Sequence, residues 1–377
     1  MITLEIVKTD SQINDFIELP FKLYKNSKYW VPPIKKDYKK YILGETTSVK
    51  SDGEYIMVIC KKNEETVGRI LVGINRNVND YHGVKDAYFS QYECIDDEEV
   101  SNKLFDFAKK WAKEKGMTIL KGPMSLPGGD DNRGFLLDNF DDAPTVQNVY
   151  NPYYYNTQIE SFGFEKYRDC YAFTVNPKAE MLEKYDKIIE YAQKKFKYRL
   201  DKIRLDKNGL KEDAKDIKQI IDEGMPKTEE WVDFMPPTWD EIEQITNAIK
   251  PFADPDFIYI ARNNENRPIA FNIAMPDYNQ VLKRLNGKIN LINLFKFLYY
   301  RRKIDRLRVF VLFVIPEYRN KGVTQAMYFK GLQYAIKKNY QEVEGSTIWD
   351  HNTAMINDIL SAGAKKNKTY RVYQIKL

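Results

Sequence analysis

The chain has 377 residues and 43% hydrophobic content, enough for two ordinary cores, and its 59 basic and 54 acidic residues nearly balance at +5, which gives no general pull toward nucleic acid. Three cysteines, Cys60, Cys94 and Cys170, are odd in number, far apart and free of CxxC spacing, so they suggest neither a disulfide framework nor a zinc site and suit a reducing compartment. The start MITLEIVKTD has no cationic lead into an apolar core, and no apolar run approaches the roughly 18 residues of a bilayer span, so the expectation is a cytoplasmic protein.

Along the chain, Glu54 to Cys60 and Thr66 to Ile74, joined by the polar turn Lys61 to Glu65, read as a β-hairpin. Asp86 to Glu93 is the next strand. The spacing then predicts a helix from Glu98 to Gly116, with Val100, Leu104, Ala108, Trp111 and Ala112 on one face, and a strand from Met117 to Lys121. Ile95-Asp96-Asp97-Glu98-Glu99 sets four acids at the start of that helix, where they satisfy its end and its dipole and repel an anion. Asn151 to Phe164, NPYYYNTQIESFGF, is a short Asn-led helix ending at Gly163. A join between two halves is expected near Phe173 to Pro177.

In the second half, Gly224 to Pro237 is an aromatic and acidic loop, GMPKTEEWVDFMPP, and Ile269 to Ala274 is a strand followed by Met275-Pro276-Asp277-Tyr278-Asn279. Ile289 to Lys303, INLINLFKFLYYRRK, is basic and amphipathic; packing over the lobe interface is the expected outcome, ahead of docking on a membrane. Val309 to Ile315 is apolar without alternation, as in a strand covered on both faces, and Pro316 ends it. Arg319, Asn320, Lys321 and Gly322 then precede a helix beginning near Val323. That order places cations and a permissive backbone where unpaired N–H groups and the helix dipole favour a diphosphate. Met327, Tyr328, Gly331, Leu332, Ala335 and Ile336 form the inner face of this helix, Glu342 to Trp349 the next strand, and Asn352 to Ala364, NTAMINDILSAGA, a second Asn-led helix ending in Gly.

Strand, basic Gly turn, helix, strand, Asn, helix and Gly resemble the GCN5-related N-acetyltransferase (GNAT) superfamily. The repeated Asn-led helix extends the resemblance to both halves. It implies an α/β (α+β) fold of tandem GNAT-like lobes, each a mixed, mostly antiparallel sheet flanked by helices, with residues 1–173 a degenerate lobe and 174–377 the lobe carrying the pyrophosphate turn. Tyr29-Trp30-Val31-Pro32-Pro33, Gly68-Arg69-Ile70, Gly134 to Phe140 and Tyr150-Asn151-Pro152 add a resemblance to a two-lobed bacterial group of this superfamily without settled function.

The resemblance implies acetyl-CoA or another acyl-CoA, held by Arg319, Asn320, Lys321, Gly322, Val323 and Thr324 around the pyrophosphate, by Asn352 at the pantetheine arm, and by backbone groups near Leu312 and Val314. Thr324 departs from the Gly/Ala that usually closes the turn. Trp231, Phe234, Asp277 and Asn279 are the candidate acceptor contacts, for a small-molecule or peptide amine. Each has a plainer reading as loop packing or turn chemistry, as Asn352 has as a helix cap and His351 as a surface histidine. The tyrosine that protonates the departing thiolate in many members is absent: Ile359 stands in its place, and Ile159 in the first copy. No metal is expected, and no catalytic residue is assigned. Three functions fit: an acyl-CoA-dependent N-acyltransferase, a noncatalytic acyl-CoA-binding protein that retains the fold, and a Fem-like aminoacyl transferase using charged tRNA, the last by analogy alone.

Overall fold

The computed structural model describes residues 1–45, 53–125, 133–226 and 228–377. The first half contains β1 (Ile2–Ile6), α1 (Asp10–Leu23), α2 (Lys35–Ile42), β2 (Gly53–Lys62), β3 (Glu65–Asn75), α3 (Arg76–His82), β4 (Asp86–Cys94), α4 (Glu98–Glu114), β5 (Ile119–Gly122), β6 (Phe135–Leu136), α5 (Tyr154–Ser161) and β7 (Glu165–Val175). The second contains α6 (Glu180–Phe196), β8 (Tyr198–Lys202), α7 (Lys207–Gly224), α8 (Trp239–Ile249), β9 (Ile258–Asn263), β10 (Pro268–Pro276), α9 (Asn279–Leu285), α10 (Leu291–Tyr300), β11 (Arg306–Val314), α11 (Val323–Lys337), β12 (Glu342–Trp349), α12 (Thr353–Ser361) and β13 (Lys365–Lys376).

All the described strands join one sheet, in the order β1-β2-β3-β4-β5-β13-β7-β12-β11-β10-β9-β8, with β6 on β13. Its pairs are antiparallel except β4 with β5 and β11 with β12, the two that need a crossover helix, supplied by α4 and α11. The last strand of each half lies inside the other half's run: β13 sits between β5 and β7, and β7 sits between β13 and β12. The expected boundary at 173/174 therefore falls within an exchanged strand.

Local sequence accounts for the helix starts. Thr9 with Gln12, and Thr238 with Glu241, form capping boxes on α1 and α8, and Asp206 accepts from the Gly209 N–H at the start of α7. In α4, Val100, Leu104, Phe105, Ala108 and Ala112 are buried, while Trp111 only half covers itself at the edge. Gly68 on β3 lets that helix approach: a Cβ there would stand 2.8 Å from Leu104 Cδ1. In α11, Val323, Ala326, Met327, Phe329 and Ala335 are buried, whereas Tyr328, Gly331 and Leu332 of the expected inner face are only partly covered, because a cavity runs beneath them. Much of β11 is likewise half-covered for the same reason.

Candidate active site

After β11 the chain makes a short turn at Pro316–Tyr318 and reverses through two left-handed residues, Asn320 (φ 59°) and Gly322 (φ 75°), into α11. Glycine is required at 322, since a Cβ would also lie 3.0 Å from that of Ala192. As N-cap, Gly322 has no side chain to offer, and the first intrahelical bond runs from Ala326 N–H to the Gly322 carbonyl at 3.0 Å. The N–H groups of Val323, Thr324 and Gln325 thus take no side-chain cap at the positive end of the helix dipole, which is the local chemistry of an anion site.

The two cations expected to grip that anion are engaged elsewhere. The Arg319 guanidinium donates to the Gly224 carbonyl at 2.7 Å and the Val314 carbonyl at 3.2 Å, bracing the turn against the end of α7. Lys321 Nζ lies over the Tyr318 and Phe196 rings at 4.7 and 5.8 Å, on the α6 side. The uncapped backbone amides of the turn are left facing outward, beside a Lys321 ammonium that makes no ion pair among the described residues.

Beside the turn, the sheet opens. β11 and β12 pair only from Arg306–Val309 with Glu342–Gly345; a register shift against β10 then leaves Phe310 unmatched and the strands part. A cavity of about 540 Å³ fills the gap and extends under α11. Leu312, Val314, Arg319, Asn320, Thr324, Asn352 and Trp231 line it, while Lys321, Gly322, Val323, Phe234, Asp277 and Asn279 do not. Past Phe310 the lining is apolar apart from Asn272, with Leu307, Val309, Ala274, Phe257 and Val343 together with Gly331 and Leu332; Asn272 donates to the Phe257 carbonyl at 3.1 Å, and its Oδ1 is buried with no partner among the described residues. Asn352 also caps α12, accepting from the Met355 N–H at 3.2 Å.

Several polar groups face this space. Burial raises the Tyr328 phenol, and among the described residues its hydroxyl meets only the weak Met355 Sδ acceptor, at 3.0 Å. His351 is fixed in one tautomer: Arg168 Nη1, which can only donate, sits 2.5 Å from Nδ1, so Nε2 carries the hydrogen. Burial, and next the Arg168 charge, hold its pKa below the ordinary value, so the ring is neutral at pH 7. That arrangement makes His351 an N–H donor and not a general base. Its Nε2 and the Trp349 Nε1 are both buried with no partner among the described residues, and the two rings stack at 6.2 Å. Arg133 reaches across from the first half, 4.7 Å over Trp349, with burial lowering it to about 10. Asp358, raised by burial, accepts from Gln325 at 3.2 Å. Ile359 packs over Gly345, where a Cβ would come within 2.6 Å of its Cδ1.

The loop expected to face the acceptor divides in two. Glu230 and Trp231 line the cavity, Trp231 lying edge-on to His351 at 5.9 Å. Asp233 turns away and is buried in the first half, accepting from Tyr167 at 2.7 Å, Lys121 at 2.8 Å and Tyr88 at 3.0 Å; Phe234 packs behind Trp349 at 6.1 Å. Asp277 accepts from the Val146 and Asn279 N–H groups at 2.8 and 3.1 Å, clamping the halves together. Asn279 donates to the Pro144 carbonyl at 2.9 Å and borders a second cavity of about 400 Å³ that includes Tyr24, Trp30, Arg69 and Glu93. Sequence reasoning passed over Arg133 and Trp349 and left Tyr328 unselected, although Tyr328 follows Thr324 by one helical turn on the inner face.

The matching region of the first half is packed against α4, while the second cavity reaches Ser90–Glu93, Phe135 and Tyr155 where β4 leaves β5. Asp97 caps α4 by accepting from the Val100 N–H at 3.2 Å and pairs with Lys62 at 2.6 Å. Where β4 and β5 diverge, Phe89, Tyr92, Phe135 and Tyr155 pack ring against ring, and Tyr155 donates to Glu93 at 2.8 Å while accepting from the Cys94 N–H at 2.9 Å.

Comparison with known proteins follows this architecture. No protein-family model matches the sequence. The protein YghO of Escherichia coli strain K12 is 26% identical over 390 residues, covering 98% of this chain and 95% of that protein. The bacterial ceramide synthase of Caulobacter vibrioides is 23% identical over 380 residues, covering 98% of this chain and 96% of that protein. Among solved structures, a tandem GNAT protein from the clavulanic acid biosynthesis pathway superposes with a TM-score of 0.58 at 10% identity, over 100% of this chain and 98% of its own. A GCN5-related N-acetyltransferase from Sphaerobacter thermophilus does so with a TM-score of 0.53 at 10% identity, over 100% and 95%. The chain has the GNAT fold, twice over, in one continuous sheet.

Proposed function

We propose that the protein is an acyl-CoA-dependent N-acyltransferase whose second lobe takes the thioester and whose acceptor enters beside Trp231 and Glu230. The observation that carries this reading is the open β11–β12 cleft leading from the uncapped first turn of α11, in contrast with the first half, where Asp97 caps α4 and aromatic rings pack between that helix and the sheet. Acyl-CoA supplies an acyl group activated as a thioester. The amides of Val323 and Thr324 face its diphosphate, and Asn352 and the β11 edge flank its arm. Trp349 Nε1 and His351 Nε2 donate to a substrate oxygen inside the cavity, where an unpartnered buried donor is costly and an acceptor is therefore favoured. Tyr328, whose side chain lines the cavity, would give the departing thiolate its proton, the role that Ile359 cannot fill. Trp231 and Glu230 meet the amine, which must be neutral to attack and does not pass its proton to His351.

The acyl group is a long one. Walls that are apolar apart from Asn272 continue past Phe310 for a space that acetyl would leave empty, and the Caulobacter relative bears the name of a synthase of ceramide, an N-acylated long-chain amino alcohol. Calorimetry with acetyl-CoA and palmitoyl-CoA tests both points. Palmitoyl is about fourteen methylenes longer than acetyl, and burying even four of them is worth about 3 kcal/mol, so palmitoyl-CoA should bind at least about a hundredfold more tightly. Thiol release in the presence of a long-chain amino alcohol then reports turnover. Thr324→Glu, which adds an acid to the first turn of α11 without harming the helix, should weaken binding at least tenfold; absence of CoA binding by the wild type, or indifference to this substitution, overturns the reading.

A further inference from the structure

Helix α10 has its amphipathicity inverted. Its buried residue is a polar one, Asn293, whose amide donates to the Leu285 and Lys288 carbonyls at 3.1 and 2.9 Å. Phe297 stacks on Tyr278 at 6.0 Å, and Asn290 caps the helix through the Asn293 N–H at 2.8 Å, so the helix is firmly held. Its outward face carries Leu291, Ile292 and Phe295, which are 77%, 69% and 71% exposed, together with Leu294, Leu298 and Tyr299. With Ile289, these make seven of the sixteen large apolar side chains exposed among the described residues. A helix that merely bounds a core against water shows the opposite pattern.

Charge identifies what covers this face. Between Val281 and Ile304 the chain has seven lysines and arginines and no acid, and Lys296, Arg301, Arg302 and Lys303 are exposed around the apolar patch. An apolar face rimmed by cations alone complements a layer with hydrocarbon beneath an anionic surface. Among the described residues no helix is long and apolar enough to cross a membrane, so contact would be with the surface. The insertion carrying α10 leaves the sheet at Pro276 and returns at Arg306, the end where Pro276 pairs with Leu307 and where the cavity reaches its apolar limit at Leu307 and Ala274.

We propose that α10 docks the protein on the surface of an anionic lipid bilayer, its apolar face in the headgroup boundary and its basic rim against the phosphates. Co-sedimentation of the full chain with vesicles of equal parts phosphatidylglycerol and phosphatidylcholine, compared with phosphatidylcholine alone, tests this without any acyl-CoA, so the result is independent of the acyltransferase reading. Binding should favour the anionic vesicles and weaken as ionic strength rises from about 0.1 M to about 1 M. The double substitution Leu291→Ser with Phe295→Ser should lower partitioning at least tenfold, and Arg301→Glu with Arg302→Glu and Lys303→Glu about a hundredfold. All these positions are exposed, and unchanged circular dichroism and melting would show the fold kept. As a readout that does not depend on loss, Phe295→Trp should shift its emission to the blue on adding anionic vesicles. No binding to anionic vesicles, binding indifferent to both sets of substitutions, or no shift from Phe295→Trp overturns the proposal. So does lipid-free self-association that the Leu291 and Phe295 changes abolish, because the face would then join two copies.

Discussion

Gly331 offers a direct test of whether the space under α11 is a ligand cavity. It lies mid-helix, where glycine costs about 0.8 to 1.0 kcal/mol relative to alanine, and a Cβ at this position meets nothing within 4 Å. Gly331→Ala should therefore stabilise the fold by roughly that amount, read as a higher urea midpoint with unchanged slope. A single methyl displaces about one methylene of ligand, so the affinity for palmitoyl-CoA should fall about fourfold. Gly331→Phe fills the space between α11 and the wall formed by Val309 and Val343. Excluding three buried methylenes costs about 2.4 kcal/mol, or about 60-fold in Kd by calorimetry, while acetyl-CoA, which does not need the apolar end, should lose far less. A less stable Gly331→Ala would refute the open space, and a Gly331→Phe with wild-type affinity for palmitoyl-CoA would refute the assignment of the cavity.

Two further predictions concern the contacts that hold the halves together. Burial raises the Asp277 carboxyl from 3.8 to about 7, above its unfolded value, so its contribution to stability is full at low pH and is lost as pH climbs from about 4 to about 7, amounting to about 4 kcal/mol over about three units. Asp277→Asn keeps an acceptor for the Val146 and Asn279 N–H groups, so its stability relative to wild type should grow by several kcal/mol between pH 4 and pH 8 in urea unfolding; a constant difference would reject the buried titration. Asp233→Ala removes the acceptor shared by Lys121, Tyr88 and Tyr167 and leaves Lys121 buried with only Asp86 at 2.8 Å, which should cost about 3 to 5 kcal/mol. A loss below about 1 kcal/mol would mean that the ion cluster contributes little to joining the lobes.

Regular elements were legible in the sequence because each rests on a local rule. The hairpin of β2 and β3, the apolar face of α4, the β11-to-α11 turn and the Asn352 cap all follow from periodicity, caps and glycine placement, and the superfamily resemblance rested on their order. Side-chain direction was less legible. Arg319 and Lys321 are adjacent to the turn in sequence, yet a guanidinium that reaches the Gly224 carbonyl and an ammonium drawn to Tyr318 depend on where α7 and α6 lie, which no local pattern encodes. Arg133 was invisible for the same reason, since it enters the cavity from the other half of the chain. The basic amphipathic stretch 289–303 was expected to pack over the lobe interface, because apolar residues at helical spacing ordinarily turn inward. Asn293 supplies the anchoring instead and leaves the leucines outside.

The strand exchange gives the two clefts a common framework. β12 is not an edge beside the cavity: it is paired on its far side with β7 of the first half, which contributes Phe173 and Val175 to the wall. β13 in turn seals β5 in the first half, where Tyr373 pairs in register with Gly122 and its hydroxyl donates to Glu160 at 2.8 Å. Each half is thus completed by a strand that the other encodes, and the backbone groups along both clefts are paired on the side away from the ligand path. With that framework shared, the difference between the lobes reduces to side chains. Aromatic rings and a capping aspartate occupy the α4 side of the first cleft, whereas Gly322 offers no side-chain cap at the turn of the second and Gly331 leaves its helix without a side chain.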